Sequence, residues 1–227
     1  SGGSVGAAEL TIGLLLTLWR QIATYDQLLH HGGWTTPYGR VLQGKTIGLL
    51  GLGRVGSHVS RLAHAFGMQV LAWSPHLDAA RARQVGAEAT DLESLLRRSD
   101  VVSVHLTLSD STRDLLDGKR LDLMPRGALL INTARGPIVN EQALVARLRS
   151  GHLGGAGLDV FDQEPLPPDH PLRHLPNVVL TPHAGWPTDA AYISFAETAV
   201  QLVEEFLAKD PSHLVNPQAL ETGRQGR

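Results

Sequence analysis

Three short strings, INTARG at 131–136, FDQEP at 161–165 and TPHAG at 181–185, each follow an apolar run. Each places one reactive side chain just beyond that run: Arg135, Glu164 and His183. An arginine can grip a carboxylate with two parallel hydrogen bonds and polarise a carbonyl beside it. A histidine can give or take a proton near neutral pH. A carboxylate touching that imidazole would orient it and stabilise its charged form. Together the three could bind an organic acid and move a proton on its oxygen. Taken singly, Arg135 reads as a cap or surface ion pair, Glu164 as a loop acid before Pro165, and His183 as a satisfied loop histidine. The expectation of catalysis rests on their joint delivery to one edge of a sheet.

GLGRVG at 51–56 supplies a cradle for a nucleotide beside that edge. Gly51 permits a tight turn, Gly53 lets the backbone approach a pyrophosphate, and Gly56 lets helix and strand pack closely. Arg54 and Val55 open the helix whose N-terminus would face the phosphates. The next strand ends LAWSPH, so Ser74 stands where an acid usually holds the adenosine ribose. Serine can bond a hydroxyl without repelling a 2′-phosphate. His76, Arg81 and Arg83 follow closely and could meet such a phosphate or be solvated surface. The cofactor is therefore NAD or NADP, with a lean to NAD because no arginine directly follows Ser74. His105 ends a strand run and either borders the cofactor or is structural. The remaining histidines lack metal-ligand spacing, so no metal is expected.

The elements that must position these residues are legible as alternation. Apolar, β-branched runs lie at 46–51, 69–73, 101–106, 128–133, 155–160 and 177–182, with helical patterns between several of them, at 55–66, 91–98 and 140–150. Continuous apolar strands are buried on both faces, and their alternation with helices predicts an α/β fold with a doubly wound, Rossmann-type parallel sheet. Thr90 with Glu93 reads as a capping box, and Asn140 as the cap of the helix opening at Glu141. Residues 5–30 read as one helix, apolar on most sides and so buried on more than one face. A loop follows at 31–39. A last helix over about 188–208 carries Phe195, Ala199, Leu202, Val203, Phe206 and Leu207 on an apolar stripe and ends at Asp210-Pro211, before a polar, loose tail.

Composition bounds the function. The chain has 227 residues, 42% apolar and 19% charged, with net charge −2, which suits a packed core and argues against nucleic acid or an anionic membrane as the main partner. The apolar stretch Leu10–Trp19 is too short to span a bilayer. With no cysteine, disulfides and thiolate chemistry are excluded, and a cytoplasmic location is expected.

At this point the chain resembles the D-isomer-specific 2-hydroxyacid dehydrogenases. The matching strings are GKTIGLLGLGRVG (44–56), SDVVSVHL (99–106), MPRGALLINTARGPIVNEQAL (124–144), GGAGLDVFDQEPLP (154–167) and NVVLTPHAG (177–185), in family order. The resemblance implies hydride transfer between a nicotinamide and a 2-keto or 2-hydroxy acid. Arg135 would anchor the substrate, His183 would be the acid/base and Glu164 its partner. It also implies a cofactor wall of His105, Leu106, Thr107, Thr112, Thr133, Ala134, Arg135, Asp159, His183 and Gly185, with Asp159 near the nicotinamide carboxamide. Two positions depart from the family: Ser74 for an acid, and Thr107 for a proline.

The resemblance further implies three regions: an interdomain and dimerisation segment at 1–36, a dinucleotide-binding domain at 37–186, and a helix and tail at 187–227 that return toward a substrate domain. The N-terminal segment that builds most of that domain in the family is not represented, so the chain alone is expected to bind cofactor and turn over poorly. The first helix resembles one used in homodimers. A nucleotide-sensing binding protein like the C-terminal-binding-protein corepressors, or a scaffold with a vestigial site, are the alternative readings.

Overall fold

The computed structural model describes residues 2–36 and 38–208. Seven strands form one wholly parallel sheet: β1 (Thr46–Leu50), β2 (Gln69–Trp73), β3 (Glu88–Ala89), β4 (Val101–Val104), β5 (Leu129–Asn132), β6 (Gly155–Leu158) and β7 (Val178–Leu180). Their order is β3-β2-β1-β4-β5-β6-β7, reversing direction between β1 and β4. This is the doubly wound arrangement expected from the alternation. Neighbouring residues go to opposite faces: Ile47 and Leu49 join one buried cluster and Leu50 the other, as Leu129 and Ile131 oppose Leu130.

Helices α1 (Gly2–Trp19) and α3 (Arg54–Ala65) cover one face. A short α4 (Ala79–Gln84) between β2 and β3 adds Ala82 to that same face, and the other face is covered by α5 (Leu92–Arg98), α6 (Gly118–Leu121) and α7 (Glu141–Arg149). Six apolar runs become strands, and in all but β2 the ladder stops one or two residues before the run does. Gly51, His105, Leu106, Thr133, Asp159 and Thr181 therefore sit on loops past the carboxyl ends. The two-residue strand β3 was too short to leave a periodic signal.

Two local expectations are corrected. Residues 5–30 are not one helix. α1 ends at Trp19, Gln21 takes a left-handed conformation (φ 53°), and α2 (Ile22–His30) continues in a new direction. The break falls where burial ends: Leu14, Leu15 and Trp19 are buried against the sheet, whereas α2 buries nothing. The second correction concerns α5, which is capped by Asp91, not Thr90: the Asp91 carboxylate accepts the Ser94 N–H at 2.9 Å. Thr90 instead donates its N–H to the Ala72 carbonyl at 3.1 Å, extending the β2–β3 pairing. Asn140 caps α7 as expected, accepting from the Ala143 N–H at 2.9 Å.

The last helix, α8, runs Asp189–Ala208, and Ala191 is its one buried residue. Its apolar stripe, Phe195, Val203 and Phe206 included, faces outward in this chain. The Asp210-Pro211 stop and the tail lie outside the described residues. No helix among the described residues is long and apolar enough to cross a membrane.

The cap assignment is testable. Asp91→Ala is expected to cost about 1 kcal/mol in urea unfolding. Thr90→Ala should stay within roughly 0.5 kcal/mol of the parent. The reverse order would restore Thr90 as the cap.

Candidate active site

The site is built from loops that leave the sheet on one edge. After β5, the buried side chain of Asn132 folds the chain back on itself: its Oδ1 accepts the Ala134 N–H and its Nδ2 donates to the Arg135 carbonyl, both at 3.0 Å. This turn presents Arg135 to solvent, with its guanidinium donating to the Ala134 carbonyl at 2.6 Å. Gly136 follows because nothing larger fits: a Cβ there would lie 2.1 Å from the main-chain carbon of Phe161. The Arg135 turn is thus pressed against the segment that carries Glu164.

After β6, Asp159 is 1% exposed and organises the histidine loop. Its Oδ1 accepts from the Thr181 hydroxyl at 2.5 Å and the Ala184 N–H at 2.7 Å, and its Oδ2 from the Gly185 N–H at 2.9 Å. Its main-chain carbonyl accepts the His183 N–H at 2.9 Å. These bonds hold His183 at φ 55°, a left-handed conformation that is uncommon for a non-glycine residue.

The imidazole meets Glu164 at 2.7 Å, Nδ1 to Oε2. The second carboxylate oxygen accepts the Phe161 N–H at 3.0 Å, so both oxygens of Glu164 are engaged. Partial burial works against ionisation of Glu164. The hydrogen bonds from His183 and Phe161, with the charges of His183 and Arg135, outweigh it and hold the carboxyl below its ordinary value. Nε2 of His183 makes no hydrogen bond to a described residue.

A cavity of about 270 Å³ lies at this edge. Arg135, His183, Asp159, Gly185, Thr133 and Ala134 line it from the side of β5 to β7, and Val55, His105, Leu106 and Thr107 from the side of β1 and β4. Nine of the ten residues expected at the cofactor wall, with Val55 of the cradle, therefore share one cavity. Gly51, Gly53, Arg54, Gly56 and Ser74 are placed beside it on the glycine turn and at the end of β2. Thr112 is not on the lining. Its hydroxyl donates to the Thr107 carbonyl and accepts the Ser109 N–H, both at 2.8 Å, and so shapes the loop behind the wall.

The sequence reading missed three lining residues, Ala7, Leu108 and Trp186. Ala7 comes from α1, whose Thr11 hydroxyl lies 2.8 Å from that of Thr133. Only Trp186, adjoining TPHAG, left a signal that could have been followed. It also missed Asn132, although a polar residue closing an apolar strand was visible.

The glycine turn fits a dinucleotide. Gly51 has φ 100°, and a Cβ on it would lie 2.6 Å from the His105 carbonyl oxygen. A Cβ on Gly56 would lie 2.1 Å from the Gly51 carbonyl oxygen. At Gly53 a Cβ would meet nothing within 4 Å, so that face of the turn is open for a ligand. Beneath the turn, His105 is half-buried by surface exposure but its ring is packed in the wall, and this burial lowers its pKa to about 4. Its Nε2 pairs with the Ser103 hydroxyl at 2.9 Å and its Nδ1 has no partner. It is thus a neutral packing element of the cavity wall.

A parallel, doubly wound sheet with a glycine turn and a cavity at its reversal point defines a dinucleotide-binding fold. The family model described as "D-isomer specific 2-hydroxyacid dehydrogenase, NAD binding domain" matches residues 12–185, and the chain belongs to that family. It is 42% identical over 225 residues to a glyoxylate reductase of Thermofilum pendens, covering 94% of this chain and 65% of that protein. Among solved structures it is similar to a putative D-3-phosphoglycerate dehydrogenase from Ralstonia solanacearum, with 36% identity and TM-score 0.88 over 96% of this chain and 67% of that one. It is also similar to a D-lactate dehydrogenase from Aquifex aeolicus complexed with NAD and lactic acid. There the identity is 30% and the TM-score 0.84, over 92% of this chain and 68% of that one. The chain thus spans about two-thirds of the length of these relatives.

The neutral His105 has a consequence for stability. Free of the fold its ring titrates near 6.5, and in the fold near 4. Between these values the unfolded chain binds the additional proton, so stability falls as pH drops through that window. The loss between about pH 7.5 and about pH 5 is on the order of 2 kcal/mol. Urea unfolding of the parent and of His105→Asn at both pH values should show a smaller acid loss in the variant. An equal loss would show that His105 does not resist protonation.

Proposed function

We propose that the chain is the cofactor-binding part of an NAD(P)-dependent oxidoreductase that interconverts a 2-keto acid and a D-2-hydroxy acid. One observation carries this: the His183–Glu164 hydrogen bond at 2.7 Å stands at the cavity that Arg135 and the β1–β4 loops also line. Residues 37–186 form the dinucleotide-binding unit in this reading. Gly51 to Gly56 would cradle the pyrophosphate, and the cavity would take the nicotinamide end.

A bound nicotinamide would supply or accept hydride at the substrate carbon. The chain's own groups would do the rest. Arg135 would hold the substrate carboxylate and draw electron density toward the carbonyl oxygen. His183, through the Nε2 that the Glu164 contact leaves free, would give a proton to that oxygen on reduction and take it back on oxidation. Glu164 would fix the ring's orientation and stabilise its charged form. Asp159 would keep the loop from swinging the ring away. Exposed Ile22, Leu29, Trp34 and Val41, on α2 and beyond, support a homodimer through this region.

Two measurements test the reading. Calorimetry of the chain should show binding of a nicotinamide dinucleotide, and then of oxamate, an unreactive 2-keto acid mimic, to the binary complex. Arg135→Ala should weaken oxamate roughly ten- to a hundredfold while sparing the dinucleotide, as expected for losing a charged hydrogen-bonding partner. Oxamate binding unchanged by this substitution would remove Arg135 from the site. In reduction of glyoxylate or hydroxypyruvate by the full-length protein, followed through the nicotinamide absorbance, His183→Ala should lower kcat by about 10²–10⁴. Unchanged turnover would refute the acid/base assignment.

A further inference from the structure

The end of β2 carries no acid, and the geometry around it gives a positive charge a fixed place there. Gly51 donates its N–H to the Trp73 carbonyl at 2.7 Å, so the glycine turn and the Ser74 loop lie side by side. Arg81, on α4, reaches back across this junction: its Nη2 donates to the Leu52 carbonyl at 3.3 Å, inside the glycine turn. Leu52 itself is buried, so the anchor point is rigid. No carboxylate among the described residues lies within ion-pair distance of the Arg81 guanidinium, whose ion pairing is therefore unspent. The acid nearest in sequence, Asp78, is committed to capping α4: its Oδ1 accepts the Arg81 N–H at 2.8 Å.

In this fold the ribose of the adenosine half lies between the glycine turn and the end of the second strand. An acid there binds the 2′-hydroxyl, and an arginine nearby accommodates a 2′-phosphate. An arginine presents up to five N–H donors in a planar fork that matches phosphate oxygens. The Leu52 bond uses one and tethers the rest beside the turn. Ser74, half-buried at the strand end, can donate its hydroxyl to a phosphate oxygen, where a carboxylate would repel it.

We propose that Arg81 and Ser74 form a subsite for the 2′-phosphate of the adenosine ribose, and that the chain takes NADPH in preference to NADH. This reverses the lean to NAD that followed from the residue directly after Ser74, because the arginine arrives from α4 instead. The inference rests on the dinucleotide-binding reading above and refines it.

The test is direct binding to the 227-residue chain, by calorimetry or tryptophan fluorescence, of NADPH against NADH and of adenosine 2′,5′-bisphosphate against 5′-AMP. The second pair probes the adenosine end without the nicotinamide. The 2′-phosphorylated member of each pair should bind roughly ten- to a hundredfold tighter, the range for hydrogen bonds to a charged group. Arg81→Ala should remove most of that preference while leaving NADH affinity within about twofold, and Arg81→Lys should restore part of it. Ser74→Asp should invert the preference. Equal or tighter binding of NADH by the parent chain, or a preference unchanged in Arg81→Ala, would overturn the inference while leaving the dinucleotide site intact. NADH preference lost in Asp78→Asn would assign the missing acid's role to Asp78. Binding of neither dinucleotide would overturn both this inference and the reading it rests on.

Discussion

The candidate site depends on one buried carboxylate. Asp159 sits one residue past the end of β6 and is surrounded by four donors from residues 181–185: the Thr181 hydroxyl and the N–H groups of Ala184 and Gly185 to its side chain, and the His183 N–H to its main chain. A buried acid without such partners would cost several kcal/mol. With them, it converts the cost of burial into a rigid loop. The loop then holds His183 in a backbone conformation worth about 1–3 kcal/mol of strain, which isolated sequence would not choose. Asn132 does the same for Arg135 one strand away, and the tight passage of Gly136 against Phe161 ties the two arrangements together. Arg135 and His183 are thereby fixed by two buried polar residues, and Glu164 is held in turn by the Phe161 N–H and the His183 ring.

The sheet supplies the rest. Because every strand runs parallel, every carboxyl end falls on one edge, and the order reverses between β1 and β4. Loops on the two sides of that reversal diverge and leave a crevice, which is where ligands settle in such sheets. The glycine turn after β1 stands on one side of this crevice and the His105–Thr107 segment after β4 on the other. Cavity, cradle and trio are consequences of a single topological feature.

Much of this was legible from sequence because burial on both faces leaves a plain record. The apolar runs marked six of the seven strands, and the residues that closed them, such as Arg135 and His183, were visible as polar interruptions. What was not legible depends on contacts distant along the chain. Thr11 meets Thr133 from a helix more than a hundred residues earlier, and no local pattern encodes that. The break at Gln21 follows from where the sheet stops burying the helix, not from a glycine or proline. The cap moved from Thr90 to Asp91 because β3 claims the Thr90 N–H, a pairing too short to read as a strand. Sequence left Arg81 open between a phosphate partner and solvated surface, because only the fold carries it back to Leu52.

The central claim is that the Asp159-anchored loop presents His183 to a substrate held by Arg135. It is tested most directly by a crystal structure of the chain with a nicotinamide dinucleotide and oxamate. The account predicts the oxamate carboxylate on the Arg135 guanidinium, His183 Nε2 facing the oxamate carbonyl oxygen, and the bonds of Asp159 to Thr181, Ala184 and Gly185 retained. Oxamate bound away from Arg135, or an imidazole turned out of the cavity with its Glu164 contact broken, would contradict it.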